Sequence, residues 1–504
     1  MKQVEKLLKN KYLFWAILLF AVGFPFIESF KSILEGSIPF WFDPARDFIM
    51  ALENLKKLSL IGPPTGIPGI FYGPYWIWLI SLAMLLTRDP RFIALLILTI
   101  PYFFIFPFIL FKFRNIFGKT TCILLWLLFI LSFSKYATFL WNPHLAALLF
   151  LSLVYLLVAS PLNKLNKLLL AGLICGLIMN IHLSFGIGIA FASVLYIIIE
   201  EIKYSISNKA KWIQNMFNNF KFIPFYFLGI AFAFTPFILF ESRHGFHQIN
   251  AFVHTLRDAF FYNSSVVGQT GLNKAEIIVH FLSTVNILLQ IPEWIVNKLF
   301  LLTGIYLLYQ IIRGKLRLNV GERKLLLFLT LCSVSLVYLY LSSKNPVWEY
   351  HFIGVEIITL LSIGLAAKKF SLFRYGLIIW VSFLLLKNIV SFVSAPAANI
   401  LATSSYATKK YIVELVYKDA AQKPFAVFAY SPSIYTYDYD YLFGWLGKHK
   451  LSSDLIYLII PKSKEAIVTD FTNYRTPQNH YITLKEWHIV DGTTILKRGK
   501  IPLK

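Results

Sequence analysis

The chain has 504 residues, of which 57% are hydrophobic and only 14% charged. A soluble protein carries about 25% charged residues, so this chain lacks the polar surface to stay in water. Its repeated apolar runs of about 20 residues fit helices that cross a bilayer and exclude a β-barrel. The net charge of +23 would suit a nucleic-acid partner. Helical membrane proteins, however, collect Lys and Arg in their cytoplasmic loops, and no basic, aromatic-interleaved soluble module is present.

In chain order, the first apolar run, Tyr12 to about Phe30, follows Lys2, Lys6, Lys9 and Lys11. It is too long for a signal-peptide core and lacks a small-residue cleavage site, which predicts a retained span. Hydropathy predicts further segments at Ile70–Leu86, Phe92–Leu110, Thr120–Ser134, His144–Ala159, Leu168–Ile181, Leu183–Ile199, Phe222–Phe240, Val296–Ile312, Leu325–Leu341, Phe352–Ala367 and Tyr375–Phe392. Cys122, Cys175 and Cys332 all fall inside apolar runs and read as small core residues, not as a disulfide or metal framework.

If every segment crosses, the basic loops fall on the outer side, against the positive-inside rule. Removing one early crossing restores the parity, and Ile70–Leu86, which contains Gly73-Pro74, is the segment to remove. That leaves roughly 11 crossings, with the N-terminus inside and the C-terminus outside. The loops at 31–71, 136–143 and 241–295, the turn around His182 and the loop from Ser343 to His351 then share the outer face.

From about Ser394 the composition changes. Thr408–Lys418 predicts an amphipathic helix, and Phe425–Tyr430, Asp454–Ile460 and Glu486–Val490 predict short strands. The expected architecture is an all-α polytopic membrane protein of about 11 to 13 membrane helices with a small C-terminal α/β extracytoplasmic domain. Residues 1–393 form the membrane part and 394–504 the soluble one.

The first outer loop holds Trp41-Phe42-Asp43-Pro44-Ala45-Arg46-Asp47. Pro44 suits a first helical position and Asp43 an N-cap. Asp43 and Asp47, four apart, meet on adjacent turns of one face. An ordinary cap plus a surface charge is the plain alternative to a general base acting on an acceptor hydroxyl. The Gly- and Pro-rich stretch from Ile61 to Pro74 predicts an ordered, non-helical loop. It reads as a rigid connection, with a backbone phosphate cradle as the other reading. Asn142 and His144 close another outer loop, His182 sits between two apolar runs, Arg243 and His244 open the large loop, and Lys344 and His351 flank the next. Interfacial anchoring and structural burial are the plain readings for these. The tail's Asp438-Tyr439-Asp440 reads as a Tyr-rich packing segment rather than a metal site.

One span, then an outer loop with Asp43-Pro44-Ala45-Arg46, then Phe71-Tyr72-Gly73-Pro74-Tyr75-Trp76 entering an aromatic apolar run, resembles the GT-C membrane glycosyltransferases. The nearest types are the bacterial protein mannosyltransferases and aminoarabinose transferases. Trp141-Asn142-Pro143-His144 and Phe240-Glu241-Ser242-Arg243-His244 are similar to motifs of bacterial members. The resemblance implies a GT-C-like fold in the plasma membrane and a sugar donor on a polyprenyl phosphate or pyrophosphate. It implies Asp43 as base, with Asp47 and Arg46 organising the loop. Tyr72, Asn142, His144 and His182 are substrate-binding candidates, and Arg243, His244, Lys344 and His351 are candidate cations for the leaving phosphate. The acceptor is a glycan, lipid or protein. A divalent metal stays open, because Pro44 and Asn142 stand where members often place a second acid. The competing readings are a lipid-linked glycan flippase, which needs no long structured first loop, and an oligosaccharide polymerase or ligase, which would rest on outer-loop Arg and His.

Overall fold

The computed structural model describes residues 11–67, 69–207, 221–261, 271–290, 318–343, 346–394, 404–431, 435–447 and 450–502. The membrane part opens with α1 (Lys11–Glu35), then α2 (Phe42–Lys56) and α3 (Tyr75–Met84). Next come α4 (Pro90–Lys112), α5 (Lys119–Ser132), α6 (Asn142–Ala159), α7 (Lys164–Ile181) and α8 (Leu183–Ser207). After these follow α9 (Ile223–Ala233), α10 (Thr235–Arg243), α11 (His247–Phe261) and α12 (Lys274–Leu289). The last three are α13 (Val320–Ser342), α14 (Val355–Lys369) and α15 (Ser371–Ser394). Among the described residues seven helices are long and apolar enough to cross a membrane, or eight with α9 and α10 counted as one broken span. The expected span at Val296–Ile312 lies outside the described residues. The protein is a multi-pass membrane protein.

The segment that charge parity removes from the crossings forms α3, a helix of ten residues. At 1.5 Å per residue it rises about 15 Å, half the thickness of a hydrocarbon core. It packs along α2 through side chains that satisfy one another. Asn54 Nδ2 donates to Ser81 Oγ at 2.9 Å, and Ser81 Oγ donates to the Ala51 carbonyl at 3.1 Å.

Two helices depart from regularity for visible reasons. In α4, Pro101 falls mid-helix, and the chain widens into π-turns over Leu95–Thr99 and Pro101–Ile105. Thr99 and Tyr102 then donate to the carbonyls of Ala137 and His144, both at 2.5 Å, which anchors the loop between α5 and α6. Between α9 and α10 the axis bends by 61° just before Pro236. The Ala233 carbonyl at the bend accepts from Tyr75 Oη at 2.8 Å and from Asn180 Nδ2 at 3.3 Å.

The stretch 241–295, expected as an outer loop, contains helices α11 and α12 among its described residues. Asn273 and Glu276 cap α12 reciprocally, and the helix packs against α5, α13 and α14. Its polar insertions, His280, Ser283, Thr284 and Asn286, dilute the hydropathy that would have marked it.

The C-terminal part holds α16 (Tyr406–Ala420), β1 (Ala426–Ala429), α17 (Tyr437–Leu446), β2 (Leu455–Ile460), α18 (Glu465–Arg475), β3 (Tyr481–His488) and β4 (Thr494–Lys500). The sheet order is β1-β2-β4-β3, with β1 parallel to β2 and the other pairs antiparallel. The strand expected at Glu486–Val490 is the end of β3. The hairpin then turns at Gly492, with φ of 87°, and returns as β4, whose charged residues hid it from the pattern.

This part is clasped to the start of α2. Tyr406 N–H donates to the Ile38 carbonyl and Ala407 N–H to that of Gly36, both at 3.0 Å. Lys409 Nζ donates to the Phe40 carbonyl at 2.7 Å and pairs with Asp438. Tyr441 packs on Phe40 and Phe48 and donates to the Arg88 carbonyl at 2.5 Å. Because Lys409 and Asp438 are buried together, removing one partner strands a charge. Lys409→Met is expected to cost about 3–5 kcal/mol. Lys409→Met with Asp438→Leu is expected to recover most of it, as read from thermal unfolding in detergent.

Candidate functional site

The site is built on the first turns of α2. The helix begins two residues earlier than expected, with Trp41 at its N-cap and no side-chain cap. Asp43 therefore does not cap. It lies in the first turn and pairs with Arg46, Nη1 to Oδ1 at 2.8 Å. Arg46 turns its other edge to Asp47, donating from Nε at 3.0 Å and from Nη2 at 2.8 Å to a single oxygen. The second Asp47 oxygen accepts from Trp76 Nε1 of α3 at 2.9 Å. The two carboxylates do share one face, but with a guanidinium held between them.

Burial separates their roles. The Asp47 side chain is 1% exposed, against 25% for Asp43 and 19% for Arg46. Burial pushes the Asp47 carboxyl up from 3.8 to about 6, against the opposing pull of Arg46 and Trp76. Burial works against the Arg46 charge too, but the two carboxylates outweigh it and hold the guanidinium ionised.

The Gly- and Pro-rich stretch folds back on itself. Gly62 N–H donates to the Tyr72 carbonyl, Tyr72 N–H to Pro63 and Thr65 N–H to Ile70, at 2.8 to 2.9 Å. Phe71 N–H donates to Gln248 Oε1 and Gly73 N–H to the Asn180 carbonyl. Most of its donors are thus spent internally, which favours the rigid-connection reading over a phosphate cradle. Glycine is required at 62 and 73: a Cβ at the first would strike the Gly73 carbonyl, and at the second the Asn180 side chain. The turn presents the Tyr72 hydroxyl to the charged cluster. Burial raises its pKa, with the nearby Tyr350 and Asp43 adding to the effect and Arg46 opposing it.

The opposite wall is aromatic. Trp141 lies 5.8 Å from Trp41 and 5.6 Å from Tyr350, centroid to centroid. Tyr350 stands within electrostatic reach of Asp43 and packs at 4.2 Å on His351. Trp76, Trp141 and Tyr350 were not among the sequence-derived candidates, although Trp76 and Trp141 stand inside the quoted motifs.

Of the expected binding residues, Asn142 and His144 are buried and engaged in the frame. Asn142 Nδ2 donates to the Ile181 carbonyl at 2.5 Å, and His144 Nδ1 faces the Phe139 carbonyl at 2.8 Å with its ring on Tyr136. Beneath them Tyr136 Oη donates to Glu356, whose other oxygen accepts from Gly354 N–H. His182 is fully buried between Phe185 and the Tyr350–His351 turn, and neither ring nitrogen makes a well-aligned hydrogen bond. His351 accepts at Nδ1 from Trp348 N–H at 2.9 Å. Arg243 and His244 are exposed at the end of α10, where the next buried carboxylate, Glu241, binds the N–H groups of Gln248 and Ile249. Gln248 in turn holds Phe71, so this corner abuts the Gly- and Pro-rich turn. Lys344 lies outside the described residues.

A hard divalent cation takes six or more oxygen ligands. Both Asp47 oxygens are occupied, Arg46 stands between the two acids, and Asn142 is turned to a backbone carbonyl. Among the described residues no group of three or more His, Cys, Asp or Glu forms a metal site. The described residues of this site do not fit a bound metal.

Asp47 anchors Arg46 only while ionised. Any activity that depends on this pair is therefore expected to fall on the acid side with a midpoint near the Asp47 value of about 6. Trp76→Phe removes a donor to the ionised form, so its midpoint moves upward in a pH–rate profile. Stability follows the same linkage. The native carboxyl keeps its proton between about 4 and 6, where the unfolded one has lost it, so stability falls as pH rises through that window.

No known protein family and no curated protein matches the sequence. Among solved structures, ArnT from Cupriavidus metallidurans in the apo state is similar, with a TM-score of 0.55 at 11% identity over 96% of this chain and 97% of that one. The same protein bound to undecaprenyl phosphate gives 0.57 at 11% identity over 96% and 98%. ArnT is an aminoarabinose transferase of the GT-C class, and the likeness shows that this chain has the GT-C membrane architecture, with its small C-terminal sheet.

Proposed function

We propose that this chain is a glycosyltransferase that moves a sugar from a polyprenyl-phosphate donor to an acceptor hydroxyl on the extracytoplasmic side of the plasma membrane. Residues 1–393 would form the membrane domain and 394–504 the outer one. The observation that carries the reading is a partly exposed carboxylate, Asp43, beside a guanidinium that a second, buried carboxylate holds fixed. The similar fold that binds undecaprenyl phosphate supports a lipid phosphate as the leaving group. The positive-inside parity supports the sidedness.

Asp43 takes the proton of the acceptor hydroxyl. The oxygen attacks the anomeric carbon, the bond from that carbon to the phosphate oxygen breaks, and the lipid phosphate leaves with the electron pair. Negative charge grows on the phosphate and calls for a fixed cation. Arg46 uses three of its N–H groups on the two acids, and two of its five remain. It therefore precedes Arg243, His244, Lys344 and His351 as the candidate. Asp47, with both oxygens occupied, positions Arg46 and is not the base. Tyr72 and Tyr350 line the acceptor side. His182 and His351 support the Tyr350 turn.

The test supplies purified protein with a panel of polyprenyl-phosphate sugars and measures release of lipid phosphate and transfer of sugar. Asp43→Asn is expected to lose about 10²–10⁴-fold in transfer while melting like the wild type. Arg46→Lys keeps the charge but loses the two-sided fork, and a similar loss is expected. Near-full activity of a folded Asp43→Asn protein would remove Asp43 as base. Binding of polyprenyl phosphate with no turnover of any donor would favour a flippase.

A further inference from the structure

The C-terminal part carries a groove whose lining is separate from the Asp43–Arg46–Asp47 cluster. It has a volume of about 770 Å³ and lies between β1 and α17, with Arg475 at the end of α18 on its rim. β1 is an edge strand. Its Tyr430 N–H bonds to Ile459 across the parallel pair. By the alternation of a parallel ladder, residues 426, 428 and 430 face β2, while 427 and 429 turn their N–H and C=O groups to the free edge. The preceding outward group, Phe425 N–H, is covered by the Lys450 carbonyl at 3.0 Å. Val427 and Ala429 line the open groove.

We propose that this groove binds an extended polypeptide segment, added as a strand to β1, and that the acceptor is therefore carried on a protein. The proposal deepens the sugar-transfer reading and rests on it for the word acceptor. Main-chain donors and acceptors spaced two residues apart, about 6.6 Å along the strand, match another strand better than they match a sugar ring. A groove between an edge strand and a helix is a geometry that captures peptides by β-augmentation. The side chains add selectivity. Arg475 lies 4.7 Å over the Phe428 ring and pairs with no carboxylate among the described residues, so it can take an acidic side chain or a carbonyl. Asp440 on the opposite wall accepts from Thr436 at 3.0 Å, and among the described residues its other oxygen is left for a donor. The chain also links the groove to the first turn of α2. Thr436 follows Tyr435, whose ring lies 6.1 Å from Phe42, the residue before Asp43.

Gly444 provides a clean probe. It lies in α17, and a Cβ there meets no described atom within 4 Å, so Gly444→Trp fills the groove from the helix without disturbing the core. Ala429→Pro removes one outward N–H, a change that edge strands tolerate. The experiment presents full-length protein in lipid nanodiscs with a library of unstructured peptides rich in Ser and Thr, and measures peptide binding, sugar transfer and donor hydrolysis.

Wild type is expected to enrich a subset of peptides. Each variant is expected to bind them several-fold to about tenfold more weakly, with donor hydrolysis unchanged. Equal binding by wild type and variants, or no binding at all, overturns the proposal. So does transfer confined to a lipid or glycan acceptor and untouched by either variant. Conversion of a wild-type dimer to a monomer by Ala429→Pro, without any effect on peptides, would assign the edge to a second copy and also overturns it. Groove-dependent peptide binding with no turnover of any lipid-linked sugar keeps the groove and sinks the sugar-transfer reading instead.

Discussion

A buried carboxylate has to be satisfied, and most of the geometry around the site follows from how Asp47 is. Its oxygens face two directions. One takes both Nε and Nη2 of Arg46 on its own helix, and the other takes the Trp76 indole from α3. The first contact fixes where the guanidinium points, and the second fixes where α3 lies against α2. An unpaired carboxylate in that position would cost several kcal/mol. The short helix therefore cannot drift away from the long one without exposing that cost. Asp43, on the rim of the same turn, is left with one oxygen on Arg46 and side-chain exposure enough to meet a ligand.

The support for this turn comes from far along the chain. The loop before α2 is held by backbone bonds to Tyr406 and Ala407 and by Lys409 on the Phe40 carbonyl. The Gly- and Pro-rich turn after it is held by Asn180 and Gln248. The C-terminal part thus braces one end of α2, while α7 and α11 brace the turn that follows it. Distortion in any of these reaches Asp43 through few intermediates. On the proposed reading, this gives the C-terminal part a share in holding Asp43 in position.

Much of this was legible in the sequence where the signal was local. The Asp-Pro-Ala-Arg-Asp spacing places its charges on one helical face, and repeated Gly and Pro mark an ordered turn. Charge parity singles out Ile70–Leu86, and the helix there is ten residues long. Long-range signals were not legible. Nothing in the pattern says that Trp76 reaches Asp47, or that Tyr350 comes up against Asp43 from a loop some three hundred residues on. Asn142 and His144 show a second long-range effect. Polar residues at a predicted outer loop look available, yet the π-turns of α4 bring Tyr102 under them and carry the loop inward. A helix that starts two residues early was enough to free Asp43 from capping.

The arrangement of Arg46 bears on why a cation is built in at all. A bound metal needs several oxygens and can be lost or exchanged, whereas a guanidinium stays ionised and has its direction set by the fork it makes. Here two acids neutralise it in the resting site, which keeps an isolated charge out of a partly buried position. The same pairing makes it responsive. On the proposed reading, when Asp43 accepts a proton its hold on Nη1 weakens at the moment that charge appears on the departing phosphate. The guanidinium then keeps its anchor on Asp47 and has more donor capacity to offer the new anion. Asp47 has to remain ionised and buried for that exchange to work, which is why its two hydrogen-bonding partners matter as much as its charge.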